Sequence, residues 1–139
     1  MADPRRRFRL ATAPVAEHPI QRSIASVLSV ELAPPGKLSR EGVCWYAIDH
    51  AGYMGAVPGA RLGRGVVAGI YDLMILWRGR AHVIEVKTDA GELSVDQQMI
   101  GTAVLAAGGR IGVARSADEA LILLDTWGVP RARRVRIAA

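Results

Sequence analysis

The segment from Gly69 to Lys87 constrains this chain more than any other. It holds two apolar runs, Gly69–Trp77 and Ala81–Lys87, separated by Arg78-Gly79. That pattern reads as a β-hairpin closed by a two-residue turn. Such a turn pairs Trp77 with Arg80 and thereby sets the register of everything behind it. Asp72 then stands opposite Glu85, with Cβ atoms about 5 Å apart. Lys87 shares a face with Glu85, while Leu73, Ile75, Ile84 and Val86 line the other face. A slip of one residue would scatter the three charged groups over both faces. The plainer alternative is an edge strand carrying a solvated Glu85–Lys87 pair. The apolar setting Val83-Ile84-Glu85-Val86 argues instead for a central strand.

Around the hairpin the chain alternates helix and strand. Pro19 starts a helix in which Ile20, Ile24, Val27, Leu28 and Leu32 recur at helical spacing, and Ala33-Pro34-Pro35-Gly36 ends it. Val43–Ile48 reads as a short strand. The glycine-dense stretch 51–69, which includes Arg61 and Arg64, reads as a mobile loop with one helical turn. Ser94 caps a helix running to about Ala107, and Gly108-Gly109 stops it. Arg110–Ala114 is a strand. Ser116-Ala117-Asp118-Glu119 matches a capping box for a last helix, ending at Trp127 before Gly128 and Pro130. This order predicts an α/β fold, a small mixed β-sheet with a central antiparallel hairpin flanked by helices.

With 139 residues, half of them hydrophobic, the chain makes one domain. No run of about 18 apolar residues is present to span a membrane as a helix. No apolar stretch follows the basic N-terminus, so no secretion signal is read and a cytoplasmic protein is expected. A single cysteine, Cys44, excludes an internal disulfide and a cysteine metal cluster. The charge is unevenly spread. Residues 1–9 carry +3 and residues 131–139 carry +4 of a net +5, which leaves the body between them at −2. The expected layout is therefore a basic tail over 1–14, a domain over 15–128 and a basic tail over 129–139. Paired arginine-rich tails suit a polyanion, because each phosphate contact releases condensed counterions.

Two carboxylates on one half-buried sheet face repel, and one must hold a proton unless a cation lies between them. Hard oxygen ligands of this kind suit Mg²⁺ or Mn²⁺. A neighbouring lysine can hold a water or steady charge on a phosphate. Asp72, a gap of twelve residues, then Glu85-Val86-Lys87 resembles the core of the PD-(D/E)xK nuclease superfamily. Glu17-His18-Pro19-Ile20-Gln21, Gly69-Ile70-Tyr71-Asp72-Leu73, Ile84-Glu85-Val86-Lys87, Gly91-Glu92-Leu93-Ser94-Val95-Asp96-Gln97 and Ala106-Ala107-Gly108-Gly109 look like the ordered motifs of the VRR-NUC family. The resemblance covers about residues 15–128.

The resemblance implies a restriction-endonuclease-like core and a Mg²⁺-dependent DNA endonuclease in which Mn²⁺ can substitute. It also implies a homodimer selective for branched DNA such as Holliday junctions, with no membrane and no small-molecule cofactor. Asp72 and Glu85 match the metal-binding carboxylates, with the backbone carbonyl of Val86 as a further ligand. Lys87 matches the catalytic lysine, and Gln97 the supporting glutamine on the following helix, with Gln98 its neighbour should the register shift. Glu17 matches the acidic residue of the first helix that completes the metal shell. Where the family has a proline before the aspartate, this chain has Tyr71.

Lys37, Arg40, Arg61 and Arg64 are the candidate DNA-phosphate contacts. His50 reads as a solvated turn residue and His82 as packing. Trp45, Trp77 and Trp127 read as core anchors. The sequence does not locate a dimer surface, although the last helix, with Leu121, Ile122, Leu123, Leu124 and Trp127, carries more apolar faces than one core needs. Two rival functions share this pattern, a non-catalytic DNA-binding or packaging accessory and a sequence-specific restriction-type nuclease.

Overall fold

A computed structural model describes residues 17–48 and 64–132. Among these residues the order is α1 (Glu17–Glu31), β1 (Val43–Ala47), β2 (Leu73–Trp77), β3 (Arg80–Val86), α2 (Val95–Ala106), β4 (Arg110–Ala114) and α3 (Ala117–Trp127). The strands form one mixed sheet in the order β1-β2-β3-β4, antiparallel except for the parallel β3–β4 pair. The fold is thus α/β with the β2–β3 hairpin at its centre. Trp77 pairs with Arg80 and Leu73 with Ile84, which is the register the two-residue turn dictates. Arg78 and Gly79 both have positive φ, 50° and 71°, as a type I′ turn requires.

One sheet face carries the main core. Val43, Trp45, Leu73, Ile75, Ile84, Val86 and Ala114 are buried there against Ile24 and Leu28 of α1 and Ala120 and Leu124 of α3. His82 shares this face, buried and tilted against Trp127 at a centroid distance of 5.3 Å. Trp45 ties the sheet to the end of α1, since its indole N–H donates to the Ala33 carbonyl at 2.6 Å. Removing that donor leaves a buried carbonyl unpaired beside a void. Trp45→Phe is therefore expected to cost about 2–3 kcal/mol in urea unfolding. The opposite sheet face, which holds Glu85, is roofed by α2.

Several boundaries differ from those expected. β2 starts at Leu73 rather than Gly69, because Gly69 (φ +86°) and Tyr71 turn out of the sheet towards α2. α1 begins at Glu17, two residues before Pro19. The domain does not stop at residue 128. Val129 is buried in the core, the Ala132 N–H donates to the Glu31 carbonyl, and Arg131 forms a fork on Asp125 at 2.9 and 3.0 Å. Arg131 also lies 3.6 Å from the buried Glu31 carboxylate, so this arginine belongs to the folded body. In α3, Leu121, Leu123, Leu124 and Trp127 all pack on the core, which leaves Ile122 as its exposed large apolar residue. Among the described residues no helix is long and apolar enough to cross a membrane.

Candidate active site

The β2–β3 ladder ends at Leu73 opposite Ile84, and the residue before it continues the pairing with its side chain. Asp72 Oδ2 accepts the Val86 N–H at 2.8 Å. The Asp72 backbone carbonyl accepts the Ile48 N–H at 2.8 Å, so the residue is held by both neighbouring strands. Glu85 stands on β3 with only 3% of its surface exposed. Its Oε1 accepts the Gln97 Nε2 at 2.8 Å and lies 3.5 Å from Lys87 Nζ. Its Oε2 is buried with no donor among the described residues.

What faces Glu85 is the Asp72 carboxylate. Two acceptors can bond only through a shared proton, and otherwise they repel. Burial first, then the negative charge of Asp72, push the Glu85 carboxyl up to about 8, while the Lys87 ammonium pulls the other way. At neutral pH the pair accordingly keeps a proton where a cation would also fit.

Gln97 is aimed by the helix that carries it. Ser94 Oγ accepts the Gln97 N–H at 3.1 Å, and Gln97 Oε1 accepts the Ser94 N–H at 2.9 Å, a closed capping box. With the amide oxygen held at the cap, the amide nitrogen is directed onto Glu85. The seat of α2 is equally specific. A Cβ on Gly69 would stand 2.4 Å from the Asp96 carbonyl, so only glycine admits this approach of the helix. The Tyr71 hydroxyl donates to the Gln97 carbonyl at 3.1 Å, and Gly101 leaves space for it. Burial, with the charge of Glu85 second, raises the Tyr71 phenol above its usual range and keeps it a donor.

Lys87 leaves β3 where its N–H donates to the Ala114 carbonyl at 3.1 Å. The turn Thr88–Gly91 folds back along its side chain; a Cβ on Gly91 would sit 3.3 Å from Lys87 Cδ. Arg115, just past β4, clamps that turn by donating from Nη1 to the carbonyls of Thr88 and Gly91, the latter at 2.6 Å. Sequence reasoning missed both Tyr71 and Arg115 as supports of the site. The Ser94-x-x-Gln97 spacing did carry the signal of the closed cap.

The structure brings Asp72, Glu85, Lys87 and Gln97 together, with Val86 bound to Asp72 through its N–H. Gln98 faces elsewhere, exposed and donating to the Leu93 carbonyl. Glu17 opens α1. It does not join Asp72 and Glu85 in a metal-sized group, since the described residues hold no cluster of three or more His, Cys, Asp or Glu. Arg64 is exposed in the approach to β2. Lys37 and Arg40 are exposed in the connection into Val43, which pairs with Trp77. That is the closed end of the hairpin, away from Asp72 and Glu85. Arg61 and His50 lie outside the described residues. Comparison with protein-family models finds no match, and comparisons with curated proteins and with solved structures find none of significance.

Proposed function

We propose that the chain is a metal-dependent DNA endonuclease with a restriction-endonuclease-like core, acting on branched DNA such as Holliday junctions, as a homodimer. The observation that carries this reading is the buried Glu85 carboxylate, whose Oε2 has no donor among the described residues and which has a second carboxylate, Asp72, for a neighbour, with an ammonium and an amide on its other oxygen. With both carboxyls ionised the arrangement is costly, and a cation between them would remove that cost. The donor set fits Mg²⁺ or Mn²⁺. Mg²⁺ keeps several waters and takes one or two carboxylates together with phosphate oxygens, so it needs no third acidic side chain.

Asp72 and Glu85 would hold the ion, with the Val86 carbonyl adjacent and waters and phosphate oxygens completing its shell. When bound, the ion supplies Lewis acidity towards the scissile phosphate and a lowered pKa of an attacking water. The chain's own groups do the positioning. Gln97 fixes the Glu85 carboxylate by donating to its Oε1, which leaves Oε2 without a donor among the described residues. Lys87, steadied by the Arg115-clamped turn, presents a cation to charge developing on the phosphate. Arg64, in the approach to β2, would contact DNA near this end of the sheet.

Cleavage of labelled four-way junction, splayed-arm and linear duplex DNA in Mg²⁺ tests the reading. The junction is expected to be cut, and Lys87→Ala to lower the rate by about 100-fold or more. Equal cutting of all three substrates would keep the chemistry and discard the junction preference. Cuts confined to one base motif would indicate a restriction-type enzyme. Salt-sensitive binding without cutting in either Mg²⁺ or Mn²⁺ would leave the accessory role in its place.

A further inference from the structure

The closed end of the β2–β3 hairpin gathers arginines that the site at its open end does not use. Arg78 occupies the turn, Arg80 begins β3, and Arg110 begins β4 opposite His82. Arg80 and Arg110 both act on the His82 imidazole, where burial first and their positive charges last hold its pKa down; among the described residues no carboxylate contributes. None of the three has an ion pair among the described residues, whereas Arg131 is taken up by Asp125 and Glu31. Arg40 lies in the neighbouring turn, which it shares with Glu41, before Val43 pairs with Trp77.

Arg78 adds a second, independent observation. It is the only non-glycine residue with positive φ among the described residues. The first central position of a type I′ turn favours Asn, Asp or Gly, and an exposed arginine there carries a backbone cost. Its guanidinium lies 4.7 Å over the Trp77 ring, so cation and aromatic face stand together at the tip. Strain retained at an exposed position where a better residue is available points to use of that side chain.

We infer that this hairpin tip, with Arg78, Arg80 and Arg110, is a second contact surface for the phosphate backbone of nucleic acid, remote from the Asp72–Glu85 site. The inference rests on the nuclease reading for the identity of the polyanion. From Arg80 to Glu85 the strand rises roughly 17 Å. Arg80 also shares the core-side face with His82, while Glu85 points to the other. A phosphate held at the tip is thus not the one beside Glu85, and a substrate engaging both must wrap the sheet or carry a second arm.

The test is fluorescence anisotropy of a labelled four-way junction over a salt series, with Arg78→Asn and with Arg78→Asn/Arg80→Gln. Arg78→Asn creates the preferred Asn-Gly turn, so thermal stability should hold or rise while binding weakens. Each lost contact should flatten the slope of log K against log salt by about 0.9. Opposite signs for stability and binding would separate a used arginine from a merely structural one. If both variants bind with unchanged slope, the tip surface is discarded while the nuclease reading stands. If the wild-type protein binds no DNA at all, both readings fall together.

Discussion

Glu85→Gln is expected to stabilise the fold at alkaline pH while abolishing cleavage. A glutamate of the unfolded chain ionises near 4.5, whereas in the fold this carboxyl is pushed up to about 8, by burial and by Asp72. Between those values the folded chain keeps a proton that the unfolded chain has released. The protonated carboxyl's contribution is therefore complete below about 4.5, falls as pH rises, and is lost above about 8. At about 1.4 kcal/mol per pH unit over the interval from 4.5 to about 8, the ionised glutamate costs roughly 5 kcal/mol at pH 9. Glutamine removes that cost. Its oxygen can still accept from Gln97, and its amide N–H₂ supplies the Asp72 carboxylate with a donor where Oε2 had none. Urea unfolding should show the variant near parity with wild type at pH 4.5 and more stable by several kcal/mol at pH 9. Equal stability at pH 9 would mean that the charge in the pair is not buried as described. Loss of cleavage in the same variant marks a site kept at the expense of stability.

How much of this was legible in the sequence follows from how local each constraint is. The Asp72–Glu85 juxtaposition was legible because a two-residue turn at Arg78-Gly79 fixes the register of every later pair. The buried, central character of β3 was legible from its apolar run. The start of β2 was not. Gly69-Ile70-Tyr71 has the composition of a strand, but its glycine is needed for the approach of α2 and its tyrosine for the Gln97 carbonyl, both of them tertiary demands. The two serine caps divide in the same way. Ser116-x-x-Glu119 was read as a closed box, yet Glu119 Oε2 takes the N–H of Arg115 instead, one residue earlier. Ser94-x-x-Gln97 is the box that closes. The place of Lys37 and Arg40 at the far end of the hairpin was not legible, because it depends on β1 pairing with β2 across the long 48–72 connection, a register with no local marker. Gly128 and Pro130 mark the end of α3 correctly, but no sequence signal announces that Val129 then turns into the core.

Divalent-ion affinity is expected to fall about tenfold for each pH unit below about 8, which amounts to roughly 100-fold between pH 8 and pH 6. The ion and the shared proton compete for one place, between the Glu85 and Asp72 carboxylates. Since the pair retains its proton up to about 8, an ion binding at pH 7 must displace one, and an ion binding at pH 9.5 displaces none. Titration calorimetry with Mn²⁺ in buffers of different ionisation enthalpy reads that proton directly. Close to one proton released at pH 7 and close to zero at pH 9.5 is the expected result, without any need for DNA or turnover. Gln97→Ala supplies the control for geometry. It removes a donor that favours the ionised Glu85 and opens the Ser94 cap, so the pH at which affinity levels off should move upwards. Affinity independent of pH from 6 to 9 would place the ion away from Glu85. A tenfold-per-unit dependence that disappears in Glu85→Gln would tie the ion, the proton and the orphaned oxygen to one site.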